Sequence, residues 1–289
     1  MVEAGALPPP EQKATRVRAM FGRIARHYDL MNHLMTFGRD RAWRHYTVQQ
    51  LDFGLEARGT QSESKIQNSS PKGDLRTSKI VLDVATGTGD MALEVLRQYP
   101  DAQVVGLDFT PEMLALARGK AGALAPRIDW VVADAMRLPF ADASFDGVVT
   151  GFALRNVTDI PTAFAEMARV TRPGGRVASL EIAKPRTPIF RRLFGFYFYR
   201  IVPLIGSLIS GQRAAYTYLP HSLTIFLTPD EIAAVMGQAG WSQVRHRQLT
   251  LGTVTVHTGV KDPRKMRDFI AKARNLVFSQ DADEDIDDI

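Results

Sequence analysis

Cysteine is absent from all 289 residues, which excludes disulfides, thiolate metal sites and Cys nucleophiles, and with them iron–sulfur radical chemistry. Long apolar runs are missing as well. No stretch reaches about 18 uninterrupted apolar residues and residues 1–10 lack a charged n-region, so neither a membrane span nor a signal peptide is expected. No internal repeat is visible. What is present is an apolar content of 45%, ample for a sizeable core, and one elaborated α/β domain is the expectation. The net charge of +5 conceals an asymmetry: six acids fall in the last nine residues, so the remainder carries +11. A basic body points to an anionic partner surface, lipid or nucleic acid.

The stretch 80–108 is the most telling. Residues 80–85 read as a buried parallel strand, Gly87 and Gly89 let the backbone pass close to a ligand, and Met91 opens a helix. Asp108 closes the next strand, where a carboxylate accepts hydrogen bonds from both hydroxyls of a ribose. The run Gly87-Thr88-Gly89-Asp90-Met91-Ala92 also fits the dinucleotide pattern G-x-G-x-x-A, so the glycines alone identify no cofactor. Three neighbouring features favour S-adenosylmethionine. Asp83, inside the first strand, suits a ligand carrying an ammonium and a sulfonium and repels a pyrophosphate. A third strand ends on Asp134, followed by Ala135, placing an acid and an amide for an adenine. The turn Arg172-Pro173-Gly174-Gly175-Arg176 precedes a further strand, as the turn before strand five does in methyltransferase folds.

Along the chain, residues 12–50 read as helical, with Val17, Met20, Phe21, Ile24 and Tyr28 at helical spacing. Residues 56–78 are too polar to pack and read as a linker. From Lys79 strands and helices alternate at 80–85, 91–98, 103–108, 111–117, 128–133, 145–151, 162–170 and 176–182, which implies a parallel sheet covered on both faces. Two closing strands are expected at 243–249 and 253–260. The domain plan is a helical substrate cap at 1–55, the linker 56–78, a core at 79–261, and at 262–289 a basic stub with a disordered acidic tail.

Three motifs lie outside that cofactor core: Tyr28-Asp29-Leu30-Met31-Asn32 with Gly38 and Trp43, Gly151-Phe152-Ala153-Leu154-Arg155-Asn156-Val157, and Arg169-Val170 with Pro173-Gly174-Gly175 and Leu180-Glu181. They resemble the signatures of the ubiquinone and menaquinone biosynthesis C-methyltransferases, over about residues 19–261. The resemblance implies a class I S-adenosylmethionine-dependent methyltransferase fold, Rossmann-like, with a seven-stranded, mostly parallel sheet, the last strand antiparallel, and helices on both faces. It also implies methylation of a ring carbon on a polyprenyl quinol, demethylmenaquinol in menaquinone synthesis, with the methoxy-polyprenyl benzoquinol of ubiquinone synthesis as the alternative. Departures from the family pattern are Ala85 and Gly151, where glycine and serine are common, Thr36 for serine, Asp40 for histidine, and Ala183 for serine.

By that resemblance Thr88, Asp108, Asp134, Ala135 and Gly151 correspond to cofactor-contacting positions, to which Asp83, Gly87 and Gly89 are added from the residues themselves. Ring methylation needs an aligned, electron-rich carbon and a group that favours the deprotonated quinol. Tyr28, Asp29, Arg155 and Asn156 are the leading candidates, with His27, His33 and His221 behind them. Arg155-Asn156 follows the fourth strand, where substrates sit in this architecture, and an arginine stabilises an anionic oxygen.

Residues 190–209 are aromatic and carry Arg191, Arg192 and Arg200. They are too interrupted to span a bilayer and read as an interfacial helix or as a cover over a greasy channel. An anionic membrane surface and a homodimer are thus candidate partners, and the expected location is the cytoplasm, at the inner face of the cell membrane. Nucleic acid is not an expected partner. No Asn-Pro-Pro-Tyr motif grips an extruded base, and the lack of cysteine rules out a cytosine-C5 thiol adduct.

Overall fold

The computed structural model describes residues 10–53 and 78–265, apart from 263. The expected linker, except for Ser78, and the expected tail beyond Lys265 lie outside the described residues.

Two adjacent residues of the first strand settle the layering. Val81 packs with Val104, Val149, Ala178 and Val256, whereas Leu82 packs with Leu107, Val148, Val177 and Trp241. Side chains alternate across a strand, so this apolar run is buried on both faces. The strands β1 (Ile80–Val84), β2 (Gln103–Asp108), β3 (Ile128–Val132), β4 (Phe145–Gly151), β5 (Thr171–Ile182), β6 (Trp241–Leu249) and β7 (Val254–Lys261) form one sheet, ordered β3-β2-β1-β4-β5-β7-β6. Pairing is parallel from β3 through β5, and β7 runs antiparallel to both its neighbours. The Rossmann-like class I methyltransferase sheet implied by the resemblance is therefore present, reversed last strand included.

Helices α1 (Pro10–Met35), α2 (Asp40–Gln49), α3 (Asp90–Gln98), α4 (Pro111–Ala121), α5 (Ile160–Val170), α6 (Pro188–Phe196), α7 (Val202–Ser210), α8 (Arg213–Thr224) and α9 (Pro229–Gln238) surround it. Trp43 and Val48 of α2 and Met91 and Val95 of α3 bury on one face of the sheet. Phe164 of α5 and Met236 of α9 bury on the other. A separate cluster joins Ile24 and Met31 of α1 to Ala215 and Tyr216 of α8, and Phe198 and Val202 meet Leu223 beside it.

Sequence and structure differ at identifiable points. The stretch 12–50 that reads as helical forms two helices, because the chain turns at Phe37 (φ +52°) and Gly38 (φ +73°). The strand expected from Arg176 begins at Thr171 and carries the Pro173-Gly174-Gly175 turn within it. Helix α8, for which the pattern gave no sign, packs on α1 and α7. Pro188–Ser210 forms 23 residues of helix, with a π turn at Tyr197–Ile201, and is by length and composition alone long and apolar enough to cross a membrane. The three arginines hid it from a search for unbroken apolar runs.

Ala85 follows β1 with φ +55°, in the left-handed region where a Cβ is strained by about 1 kcal/mol. Glycine, common at this position in the family that the chain resembles, would carry no such strain. Ala85→Gly is expected to relieve this strain, less the entropy that glycine gains in the unfolded chain, and to raise the melting temperature by roughly 2 °C. A fall in thermal unfolding temperature would contradict the strain argument.

Candidate active site

At the carboxyl ends of β1, β2 and β3 the chain turns sharply, and the turns hold three acids in place. Asp83 is 1% exposed, and its Oδ2 accepts from the Thr86 hydroxyl (2.5 Å) and the Ala92 amide (2.9 Å), while Oδ1 has no partner among the described residues. Burial pushes this carboxyl up to about 7, and the like charge of Asp108 adds to the effect, against the opposing Thr86 and Ala92 hydrogen bonds and the Arg44 charge. Asp108 accepts from the Gly87 amide (2.9 Å) and the Thr110 amide (2.8 Å), and burial raises it too. The exposed Asp134 turns its chain by accepting from the Met136 amide (2.9 Å).

Three cavities meet here. A cavity of about 80 Å³ is walled by Gly87, Asp108, Asp134, Ala135 and Gly151, among others. One of about 30 Å³ is walled by Asp83, Gly87, Thr88, Asp90 and Arg44. A third, of about 350 Å³, is almost wholly apolar, and α1, α6 and α8 supply much of its wall. Tyr28 and Phe152 line all three. Phe152 holds its ring there with a strained φ of +58°, and such strain persists where surrounding structure fixes it. Gly89 lines none of them. Its place is structural, because a Cβ there would come within 2.7 Å of the Trp130 ring.

The surface of the large cavity is mostly apolar, although Asn32, Arg39, Asp40, Arg155 and Asn156 are among its lining residues. Arg155, in the 3₁₀ turn Leu154–Asn156, is 7% exposed and lies 3.5 Å from the buried Glu181, while its Nε has no partner among the described residues. Burial pushes Glu181 up to about 7 in spite of Arg155 and the Leu154 amide. Asn156 accepts from the Tyr218 hydroxyl (3.3 Å). Burial raises the Tyr28 phenol above its ordinary range, so it is a neutral donor at neutral pH. Tyr28, Arg155 and Asn156 thus share one cavity.

Asp29 takes a different position from its three fellow candidates. It lines none of the cavities; its Oδ1 accepts from Thr88 (2.5 Å) and its Oδ2 from Lys120 (2.6 Å), and Lys120 also reaches Asp90 (2.6 Å). Helix α1 is thereby tied to the glycine loop. His27, His33 and His221 also stay out of the large cavity, and His33 pairs with Asp40 (3.3 Å).

Several groups in this network were not singled out by sequence. Arg44 joins Asp40 (2.5 Å) to Asp90 (3.2 Å), and Glu181 holds Arg155. Both lie in or beside the quoted motifs, which was the only signal available. Lys120 and Tyr218 gave none: one reads as a helix-end cation, the other as part of an undistinguished polar stretch.

Comparison with known proteins agrees with this geometry. A model of the ubiE/COQ5 methyltransferase family matches residues 10–261. The demethylmenaquinone methyltransferase of Roseiflexus castenholzii is 45% identical over 260 residues, covering 90% of this chain and 99% of that protein. The ubiquinone/menaquinone biosynthesis C-methyltransferase UbiE of Geotalea daltonii is 39% identical over 253 residues, covering 86% and 98%. Among solved structures, a SAM-dependent methyltransferase from Thermotoga maritima, described as a possible histamine N-methyltransferase, superposes with a TM-score of 0.53 at 16% identity, covering 84% and 99%, which speaks for the fold alone.

Proposed function

Given that the chain belongs to the ubiE/COQ5 methyltransferase family, we propose that it methylates a ring carbon of a polyprenyl quinol, demethylmenaquinol, using S-adenosylmethionine. One observation carries the reading: a large greasy cavity and two small acid-walled ones meet at Tyr28 and Phe152. Such a junction suits a lipid-like acceptor on one side and a polar, cationic donor on the other.

The residues present fit that cofactor. The partnerless Oδ1 of Asp83 is a buried acceptor awaiting a cation or a hydrogen-bond donor. Gly87 (φ +58°) leaves the loop without a Cβ where a ligand approaches. Each oxygen of Asp108 holds one backbone amide and keeps a lone pair for a ribose hydroxyl, while Asp134 and the Ala135 amide flank the place for adenine. Bound there, the cofactor supplies an electrophilic methyl group on a sulfonium.

The chain's own groups prepare the acceptor. The apolar wall aligns the ring and excludes water, which strengthens every charge interaction inside. Arg155 favours the anionic form of the quinol hydroxyl and so raises electron density on the ring carbon. Tyr28 donates to a ring oxygen, Asn156 with Tyr218 fixes the turn that carries Arg155, and Glu181 keeps the guanidinium oriented. A quinol held in the membrane favours a reaction in the cytoplasm, at the inner face of that membrane.

Asp83 makes cofactor binding depend on pH. Below about pH 7 its carboxyl is protonated in the free protein and must release that proton to meet a cation, so affinity falls as pH drops through 7. Calorimetry of cofactor binding from pH 6 to 8 should show this trend in the wild type and a flat profile in Asp83→Asn. The substrate assignment is tested by methyl transfer to reduced demethylmenaquinol against 2-methoxy-6-polyprenyl-1,4-benzoquinol. A higher kcat/KM for the naphthoquinol is expected, and preference for the benzoquinol would move the enzyme to the ubiquinone pathway.

A further inference from the structure

Helix α6, the π turn and α7 present two unlike faces. The inner one is committed: Phe198 and Val202 are buried, Phe190, Phe194 and Tyr197 wall the large cavity, and Gly206 lies against Tyr216 so closely that a Cβ would come within 2.2 Å of its ring. The outer one is bare and apolar. Ile189, Leu193, Phe196, Leu204 and Leu208 are 60–78% exposed and recur at helical spacing along one side. Leu193 also lines the cavity, as does Phe37, which is 80% exposed and rests on the Tyr197 ring. The mouth of the greasy cavity therefore opens beside this stripe.

Charge identifies what covers it. Between Glu181 and Asp230 the sequence has six cations, Lys184, Arg186, Arg191, Arg192, Arg200 and Arg213, and not one acid. Arg191, Arg192 and Arg200 are exposed and form no ion pair among the described residues. An apolar stripe flanked by unpaired arginines is complementary to lipid tails beneath anionic headgroups. Because its inner face is packed on the domain, the helix lies along such a surface and does not cross it.

We propose that the outer face of Pro188–Ser210 docks on an anionic lipid bilayer, holding the cavity mouth against the membrane so that a polyprenyl substrate enters without passing through water. This rests on the quinol reading above. The test uses the full chain with vesicles of phosphatidylcholine alone or mixed with phosphatidylglycerol, at low and high salt. Wild-type protein should co-sediment with the anionic vesicles and be released by salt. An Arg191→Gln, Arg192→Gln, Arg200→Gln variant should bind them roughly 100-fold more weakly. A Phe196→Gln, Leu204→Gln, Leu208→Gln variant should also lose binding, although none of its three positions lines the cavity. All three proteins should methylate a short-tailed, soluble quinol equally. Failure of the wild type to bind anionic vesicles, or equal binding by both variants, overturns the proposal. So does a wild-type dimer in sedimentation velocity that the apolar triple variant dissociates without changing vesicle binding, since the stripe then covers a second copy. If wild-type protein binds vesicles but methylates no quinol, the quinol reading fails and the docking face stands.

Discussion

Arg155→Met lowers turnover with quinol by about 10²- to 10³-fold, the cost of removing one preorganised charge at a developing anion. Cofactor affinity stays within a factor of about 2, because Arg155 lines the large cavity and neither acid-walled one. The variant should still fold. Removing one partner of a buried ion pair typically costs about 3 to 5 kcal/mol, but Glu181 already sits near 7 and rises further once Arg155 is gone, so it takes up a proton in place of remaining as an unpaired charge. Single-turnover kinetics and cofactor calorimetry on the same sample check both halves. Unchanged turnover, or lost cofactor binding, would return Arg155 to a purely structural role.

Asp108→Ala has the opposite signature. It removes the acceptor proposed for two ribose hydroxyls, worth about 1.5 to 3 kcal/mol, so the cofactor dissociation constant rises by roughly 10- to 150-fold. It also strands the Gly87 and Thr110 amides, loosening the loop that shapes the small cavities. Turnover at saturating cofactor changes little. Calorimetry showing wild-type affinity would place the ribose elsewhere.

How legible each feature was follows from how local its cause is. Asp83, Gly87, Asp108, Asp134 and Gly151 were readable because each ends or interrupts a strand, a pattern confined to a few neighbouring residues, and they do surround the two small cavities. The turn at Gly38 was missed because a lone glycine in a helical pattern carries little signal. Helix α8 was missed for a like reason: Pro220 lies inside it, and its apolar face is set by packing on α1 and α7 rather than by a clean period. The partners of Asp29 were beyond reach because Thr88 and Lys120 lie 59 and 91 residues away. Only the packing of α1 over the glycine loop brings them together. The same holds for Glu181 and Arg155, two motif residues whose pairing no spacing rule announces.

The central claim is carbon methylation of a polyprenyl naphthoquinol, and it is tested most directly by following a deuterated methyl group. The protein is incubated anaerobically with S-adenosylmethionine labelled at the methyl and with demethylmenaquinol, and the product is analysed by mass spectrometry and NMR. The account predicts the label on the ring carbon, with transfer lost when the substrate is supplied oxidised. Label on a ring oxygen, or no transfer to the quinol from protein that binds the cofactor, would contradict it.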